Sequence, residues 1–419
     1  MRNKICWNDG WRFFRKDQPA ADTLAAGEAV TLPHTWNAKD GQDGGNDYYR
    51  GTCWYAKRFA KPELAAGEQL WLEFEGAAMT AEVYLNGQKL ARHEGGYSTF
   101  RVELTPLLAE GDNLLTVSVD NGKNRTVYPQ KADFTFYGGL YRDVNLLTVP
   151  AAHFCLSYHG GPGVKVTPTV DLDARSASVT VEAWVDGPAE QVTFSTAGQT
   201  IEAPVQDGCA KAVFAIENVR LWDSVEDPYL YTVTASLDSG DSISARYGCR
   251  TIGFDADKGF LLNGRPYRLC GAARHQDRQG LGSALTKKEH EEDAALLREM
   301  GANTVRLAHY QHAQYFYDLC DELGLYVIDC ANINAPEKRD DRKVGGTPSN
   351  DPSLADEYLE RVKAMYYRSR NHSCVIAFAL GGESGNGYNM YKAYEWLKSV
   401  EKSRPVICAD ADGEWNSDL

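Results

Sequence analysis

The sequence predicts two successive β-sandwiches followed by a parallel α/β domain, and three observations carry that reading. Alternating apolar runs broken by turn residues fill the region up to about residue 250. The texture changes after Gly264 to strands alternating with amphipathic helices. The length of 419 residues allows two to four domains at about 150 residues each. In the first zone, residues 70–74 (LWLEF), 81–85 (AEVYL) and 114–119 (LLTVSV) alternate, and Asn86-Gly87 marks a hairpin, so a sandwich or jelly roll is expected. Residues 178–185, 191–195, 212–216 and 229–236 repeat the pattern in the next hundred or so residues, the size of an immunoglobulin-like module.

The α/β zone opens with Thr286-Lys287-Lys288-Glu289, a capping box. It starts a helix with Ala294, Leu297 and Met300 on one stripe, stopped at Gly301. Strands are expected at 267–271, 303–307, 325–328, 375–380 and 405–408, with further helices near 314–323, 353–370 and 391–400. Five strands and four helices in alternation suit a parallel barrel or a doubly wound sheet. A full (β/α)8 barrel takes about 250 residues, so a barrel here would be incomplete.

Composition narrows the function classes. The formal net charge is −14, which disfavours phosphate backbones and anionic lipid, so neither nucleic acid nor a membrane is expected as a partner. No run approaches the ~18 apolar residues of a membrane span, and residues 1–14 lack the form of a secretion signal. Ten cysteines stand singly, without C-x-x-C or zinc-ligand spacing. They read as reduced thiols of a cytoplasmic protein rather than a disulfide or zinc scaffold. Trp36 and Trp54 are expected to anchor the core of the first sandwich.

In α/β barrels the chemistry sits on loops leaving the C-terminal strand ends. Those positions hold Arg274, His275, Gln276 and Asp277, then His309 and Tyr310, then Asp329 and Cys330, then Gly381-Gly382-Glu383. A pocket of carboxylates, imidazoles and an amide suits an oxygen-rich substrate.

The wording of these segments resembles glycoside hydrolase family 2, which includes β-galactosidases, β-glucuronidases and β-mannosidases. The resemblance runs through residues 32–37 (LPHTWN), 49–59 (YRGTCWYAKRF), 84–87 (YLNG), 93–97 (HEGGY), 138–144 (GGLYRDV) and 221–232 (LWDSVEDPYLYT). It continues at 258–277 (KGFLLNGRPYRLCGAARHQD), 301–312 (GANTVRLAHYQH) and 370–387 (RNHSCVIAFALGGESGNG). The Arg-His-Gln-Asp and Leu-Ala-His-Tyr phrases are most similar to β-galactosidases. The resemblance implies a jelly-roll sugar-binding domain over 1–150, an immunoglobulin-like β-sandwich over 151–252, and the N-terminal part of a TIM-barrel catalytic domain over 253–419. It implies a retaining exo-glycosidase acting on terminal β-galactosides. Such chemistry needs two carboxyl groups roughly 5 Å apart, one protonating the leaving oxygen and one attacking the anomeric carbon. Glu383 matches the acid/base position, and His275, His309, Asp133 and Arg306 match or neighbour sugar-contacting positions.

The sequence departs from the family at three places. The family usually carries Asn before its acid/base Glu, where the amide hydrogen-bonds the sugar 2-hydroxyl; here Gly382 stands instead. Metal-dependent members hold magnesium with an acid and a histidine after the third strand. Matching that phrase puts Cys330 and Pro336 there, so no magnesium and no other cofactor is expected. The family's nucleophile lies at the end of a seventh strand, beyond the fifth, so the expectation is a truncated or site-degenerate form without it. Three arrangements follow: a portion of a longer protein, a different completion of the sheet, or an oligomer in which another subunit covers the open barrel. The alternative to a hydrolase is a non-hydrolytic carbohydrate-binding or assembly protein of the same descent.

Overall fold

The computed structural model describes residues 1–40, 42, 48–127, 132 and 134–419. The chain forms two compact units, one of residues 2–150 with 276–289, the other of Met1 with 151–275 and 290–419.

In the first unit, strands Asn3–Cys6, Val144–Val149, Gln69–Phe74 and Phe100–Glu103 form one sheet. Strands Glu28–Val30, Trp11–Phe14, Thr52–Ala60, Asp112–Asp120, Thr80–Leu85 and Gln88–Glu94 form the other. Alternation makes the core: Leu70, Leu72 and Phe74 turn inward to meet Val83, Leu85 and Val117, all fully buried. Asn86 and Gly87 both take positive φ (53° and 80°), the geometry a two-residue hairpin turn requires. Trp36 joins this core. Trp54 does not, because Cys53 and Tyr55 take the inward positions of its strand and leave Trp54 on the outer face against Tyr84, ring centroids 5.8 Å apart.

The second unit begins with an immunoglobulin-like sandwich. Strand Ser176–Asp186 is central to one sheet, flanked by Val164–Asp171 and Cys209–Glu217 with a short edge at His153–Phe154. The other sheet runs Gln199–Pro204, Gln191–Thr196, Tyr231–Ser236 and Ser242–Tyr247. Val179, Val181, Phe194, Phe214 and Val233 fill the space between them.

Five parallel strands follow, hydrogen-bonded in sequence order: β1 (Gly271–Arg274), β2 (Thr304–Leu307), β3 (Tyr326–Cys330), β4 (Val375–Ala379) and β5 (Val406–Ile407). Helices α1 (Lys287–Glu299), α2 (Gln314–Leu323), α3 (Ala355–Ser369) and α4 (Tyr388–Val400) alternate with them. Every residue of β4 is buried and apolar, as a strand covered on both faces must be. The capping box forms, with Glu289 accepting from the Thr286 backbone N–H at 2.7 Å and its hydroxyl at 2.6 Å. Met300 lies one residue past α1 and is exposed, so only Ala294 and Leu297 of the expected stripe pack inward.

The first barrel strand lies four residues later than expected. Gly259–Leu262 and Arg265–Pro266 make a hairpin, and the Tyr267 N–H bonds back to the Phe260 carbonyl at 2.9 Å. That bonding commits Tyr267 to the hairpin, and the parallel ladder begins at Gly271. All ten cysteines are free thiols, seven of them buried. Among the described residues no helix is long and apolar enough to cross a membrane.

Candidate active site

Glu383 is held by its own backbone and by the loops on either side. The loop after β4 is stitched to the loop after β3: Gly382 N–H donates to the Ile333 carbonyl at 2.8 Å, and Ala335 N–H donates to the Glu383 carbonyl at 2.9 Å. Beyond Glu383, the Ser384 and Gly385 N–H groups both donate to Asp410 Oδ2, at 2.8 and 2.7 Å. Asp410 follows β5, so a carboxylate from the next strand ties down this turn. The Ser384 carbonyl accepts from the hydroxyls of Thr347 and Ser349. With its backbone pinned on three sides, Glu383 keeps its side chain 43% exposed at the strand ends.

His309 follows β2 and brings Nε2 within 3.6 Å of Glu383 Oε2, longer than a hydrogen bond but within ion-pair reach. His275 follows β1, its ring 6.1 Å from that of His309 and 6.2 Å from Tyr310. Arg274 fixes the end of β1 just before it, donating to Asp293 through Nε (3.0 Å) and Nη2 (2.6 Å) and meeting His312 Nδ1 at 2.8 Å.

Arg306, near the end of β2, neighbours the Cys330 thiol, on which both Arg306 and Glu383 act electrostatically. Burial first, with Asp329 and Glu383 adding to it and Arg306 opposing, pushes the Cys330 thiol up to about 12. Pro336 opens a short 3-10 turn, Pro336–Lys338. Asp133 lies outside the described residues.

Asp329 does not line this site. Successive strand residues face opposite sides, so Asp329 turns to the helix layer. There its Oδ1 accepts from the Tyr317 hydroxyl at 2.7 Å and the Cys330 N–H at 2.9 Å. It is fully buried, and burial raises its pKa.

Two residues absent from the sequence reading belong to the surroundings of Glu383: Asp410 and Asn334. Asn334 is 1% exposed, and among the described residues its Oδ1 has no hydrogen-bond partner. The Asn332-Ile333-Asn334 phrase was the available signal, two amides directly after a buried strand.

Among the described residues one cluster, Asp321, His372 and Cys374, brings three potential metal-ligand atoms within 4.8 Å of one another. Hydrogen bonds already occupy it. Asp321 Oδ2 meets His372 Nδ1 at 2.6 Å, Oδ1 accepts from the Cys374 N–H at 2.7 Å, and the thiol donates to the Tyr317 carbonyl. The cluster clamps α2 to the entry of β4.

Three family models match in chain order: "Glycosyl hydrolases family 2, sugar binding domain" over residues 22–150, "Glycosyl hydrolases family 2" over 162–254, and "Glycosyl hydrolases family 2, TIM barrel domain" over 256–418. The chain is 38% identical to a β-glucuronidase of Bacteroides fragilis, covering 99% of this chain and 62% of that protein. It is 28% identical to a β-galactosidase of Thermoanaerobacter pseudethanolicus, covering 90% and 51%. Among solved structures, an FMN-binding β-glucuronidase of Faecalibacterium prausnitzii L2-6 superposes with a TM-score of 0.86 at 36% identity, over 97% of this chain and 64% of that one. The chain thus spans less than two thirds of the length of these relatives. A sugar-binding sandwich, an immunoglobulin-like domain and TIM-barrel strands, each matched in order by its own profile, place this chain in glycoside hydrolase family 2.

Proposed function

We propose that this protein carries the proton-donor half of a retaining β-glycosidase site, with Glu383 as the acid/base carboxyl. The observation that carries the proposal is the placement of Glu383: its backbone is locked between the loops after β3 and β5, and its carboxyl is open at the strand ends, 3.6 Å from His309. In the first step this carboxyl protonates the glycosidic oxygen as the bond to the anomeric carbon breaks. In the second it takes a proton from the attacking water. His309 and His275 supply hydrogen bonds to the glycone, and Arg306 supplies positive charge.

The glycone we propose is a β-glucuronide. The 38% identity to a β-glucuronidase supports it, and the Arg306 guanidinium beside Cys330 suits an anionic sugar. A terminal β-galactoside is the second reading, favoured by the Arg-His-Gln-Asp and Leu-Ala-His-Tyr phrases and by relatives such as the Thermoanaerobacter enzyme. Family resemblance puts the attacking carboxylate on a seventh strand, and five are described here.

The test is hydrolysis of aryl β-glucuronide and aryl β-galactoside by this polypeptide, alongside binding of the methyl glycosides. Binding with the glucuronide preferred, and hydrolysis that Glu383→Gln abolishes, supports the reading. Hydrolysis unaffected by Glu383→Gln overturns the assignment.

A further inference from the structure

We infer that Asn334 supplies this site with the sugar-binding amide that the residue before Glu383 cannot provide. The inference rests on the reading of Glu383 as the acid/base carboxyl. Gly382 has no side chain, and the space one would occupy is already taken. A Cβ there would stand 2.7 Å from His309 Cγ and 2.9 Å from both His309 Nδ1 and Asn334 Nδ2. The Asn334 amide therefore sits against the His309 ring, at the place where a residue-382 side chain would begin.

Its own bonding points to a ligand. Asn334 is 1% exposed, yet among the described residues its Oδ1 has no hydrogen-bond partner. A buried amide oxygen without a partner costs about 1–3 kcal/mol, and a fold keeps such a group where something else completes it. The neighbouring backbone is held in place: Gly382 N–H is on the Ile333 carbonyl, and Ala335 N–H is on the Glu383 carbonyl. Asn334 is thus fixed between two bonds that join its loop to the Glu383 loop. A carboxyl that protonates the glycosidic oxygen sits at the anomeric carbon, and the Asn334 amide, 2.9 Å from where a residue-382 Cβ would stand, is thereby assigned to the adjacent ring carbon. The hydroxyl on that carbon is the sugar 2-hydroxyl, the one whose hydrogen bonds strengthen as the oxocarbenium-like transition state forms. Because an amide both donates and accepts, it can meet that hydroxyl in either sense.

The test compares binding of methyl β-glucuronide and methyl β-galactoside, each with its 2-deoxy counterpart, to the wild-type chain and to Asn334→Ala. The wild type is expected to prefer the 2-hydroxy form by about tenfold, the weight of one hydrogen bond to a buried amide. Asn334→Ala is expected to bind both forms alike, with its affinity for the 2-deoxy form unchanged from wild type. If the smaller side chain impairs folding, Asn334→Leu keeps the volume and carries the same expectation. A preference that persists in the variant overturns the inference and leaves the Glu383 reading standing. Failure of the wild type to bind any of the four sugars overturns the reading of the site and this inference with it.

Discussion

Gly382→Ala is the smallest change that probes the packing around Glu383. The added methyl would stand 2.7 Å from His309 Cγ and 2.9 Å from Asn334 Nδ2, whereas carbon atoms rest about 3.5–4.0 Å apart. Neither neighbour can swing away freely, since His309 is 9% and Asn334 1% exposed. Forcing a methyl into such a site costs about 1–3 kcal/mol, and the strain falls on the His309 and Asn334 side chains. Gly253→Ala is the control in the same compact unit, because its Cβ would make only ordinary contacts with Leu261, at 3.8 Å to Cδ1 and 3.9 Å to Cβ. The assay is hydrogen exchange of the amides at residues 382, 384 and 385, whose acceptors are the Ile333 carbonyl and Asp410, together with sugar affinity. Gly382→Ala should exchange faster at these amides, by about fivefold or more, and bind sugar more weakly. Gly253→Ala should do neither. Unchanged exchange and affinity in Gly382→Ala would refute the packing argument, and with it the explanation of why no side chain stands at position 382.

Asp410→Ala removes a carboxylate that accepts two backbone N–H groups. It should cut sugar affinity without touching the sugar, by about tenfold, and speed exchange at Ser384 and Gly385. Glu73 is deeply buried, which pushes its pKa up, but Arg101 and Lys4 outweigh burial and hold it at about 2. A folded pKa below the ordinary value of 4.5 stabilises the sandwich above pH 4.5. That stabilisation, about 3 kcal/mol, is lost as pH falls through the folded value of about 2, and acid unfolding of Glu73→Gln should lack it. His372 moves the other way: burial lowers its pKa, but Asp321 outweighs burial and raises it above 6.5. Its contribution is full below pH 6.5 and disappears as pH rises through the higher folded value. Asp321→Asn should therefore flatten the alkaline limb of a pH–stability profile measured by thermal unfolding.

Much of the architecture was legible because single elements carry unambiguous patterns. The all-apolar β4, the Thr286–Glu289 capping box and the Asn86-Gly87 turn each specify their structure locally. β1 was misplaced by four residues because the Tyr267 N–H is claimed by a hairpin partner, Phe260, which local pattern does not reveal. Glu383, His275 and His309 stand out in sequence because each directly follows a barrel strand or its short loop. Asp329 sits at a similar position, but it faces the helices, since its side is set by the phase of a five-residue strand. Asp410 and Asn334 act from neighbouring loops, through a backbone turn and through space left by a glycine. Such contacts exist only once the strands are adjacent, and no spacing in the chain encodes them.

The central claim is that the Glu383 carboxyl lies at the glycosidic atom of a bound sugar. The most direct measurement compares binding of a methyl β-glycoside with that of a β-glycosyl methylamine, whose ammonium stands beside the position of the glycosidic oxygen. The wild-type chain should bind the amine more tightly, by about tenfold at moderate salt. Glu383→Gln should erase that preference while binding the neutral glycoside as before. A Glu383→Gln chain that keeps the full preference for the amine would contradict the placement of this carboxyl and the mechanism built on it.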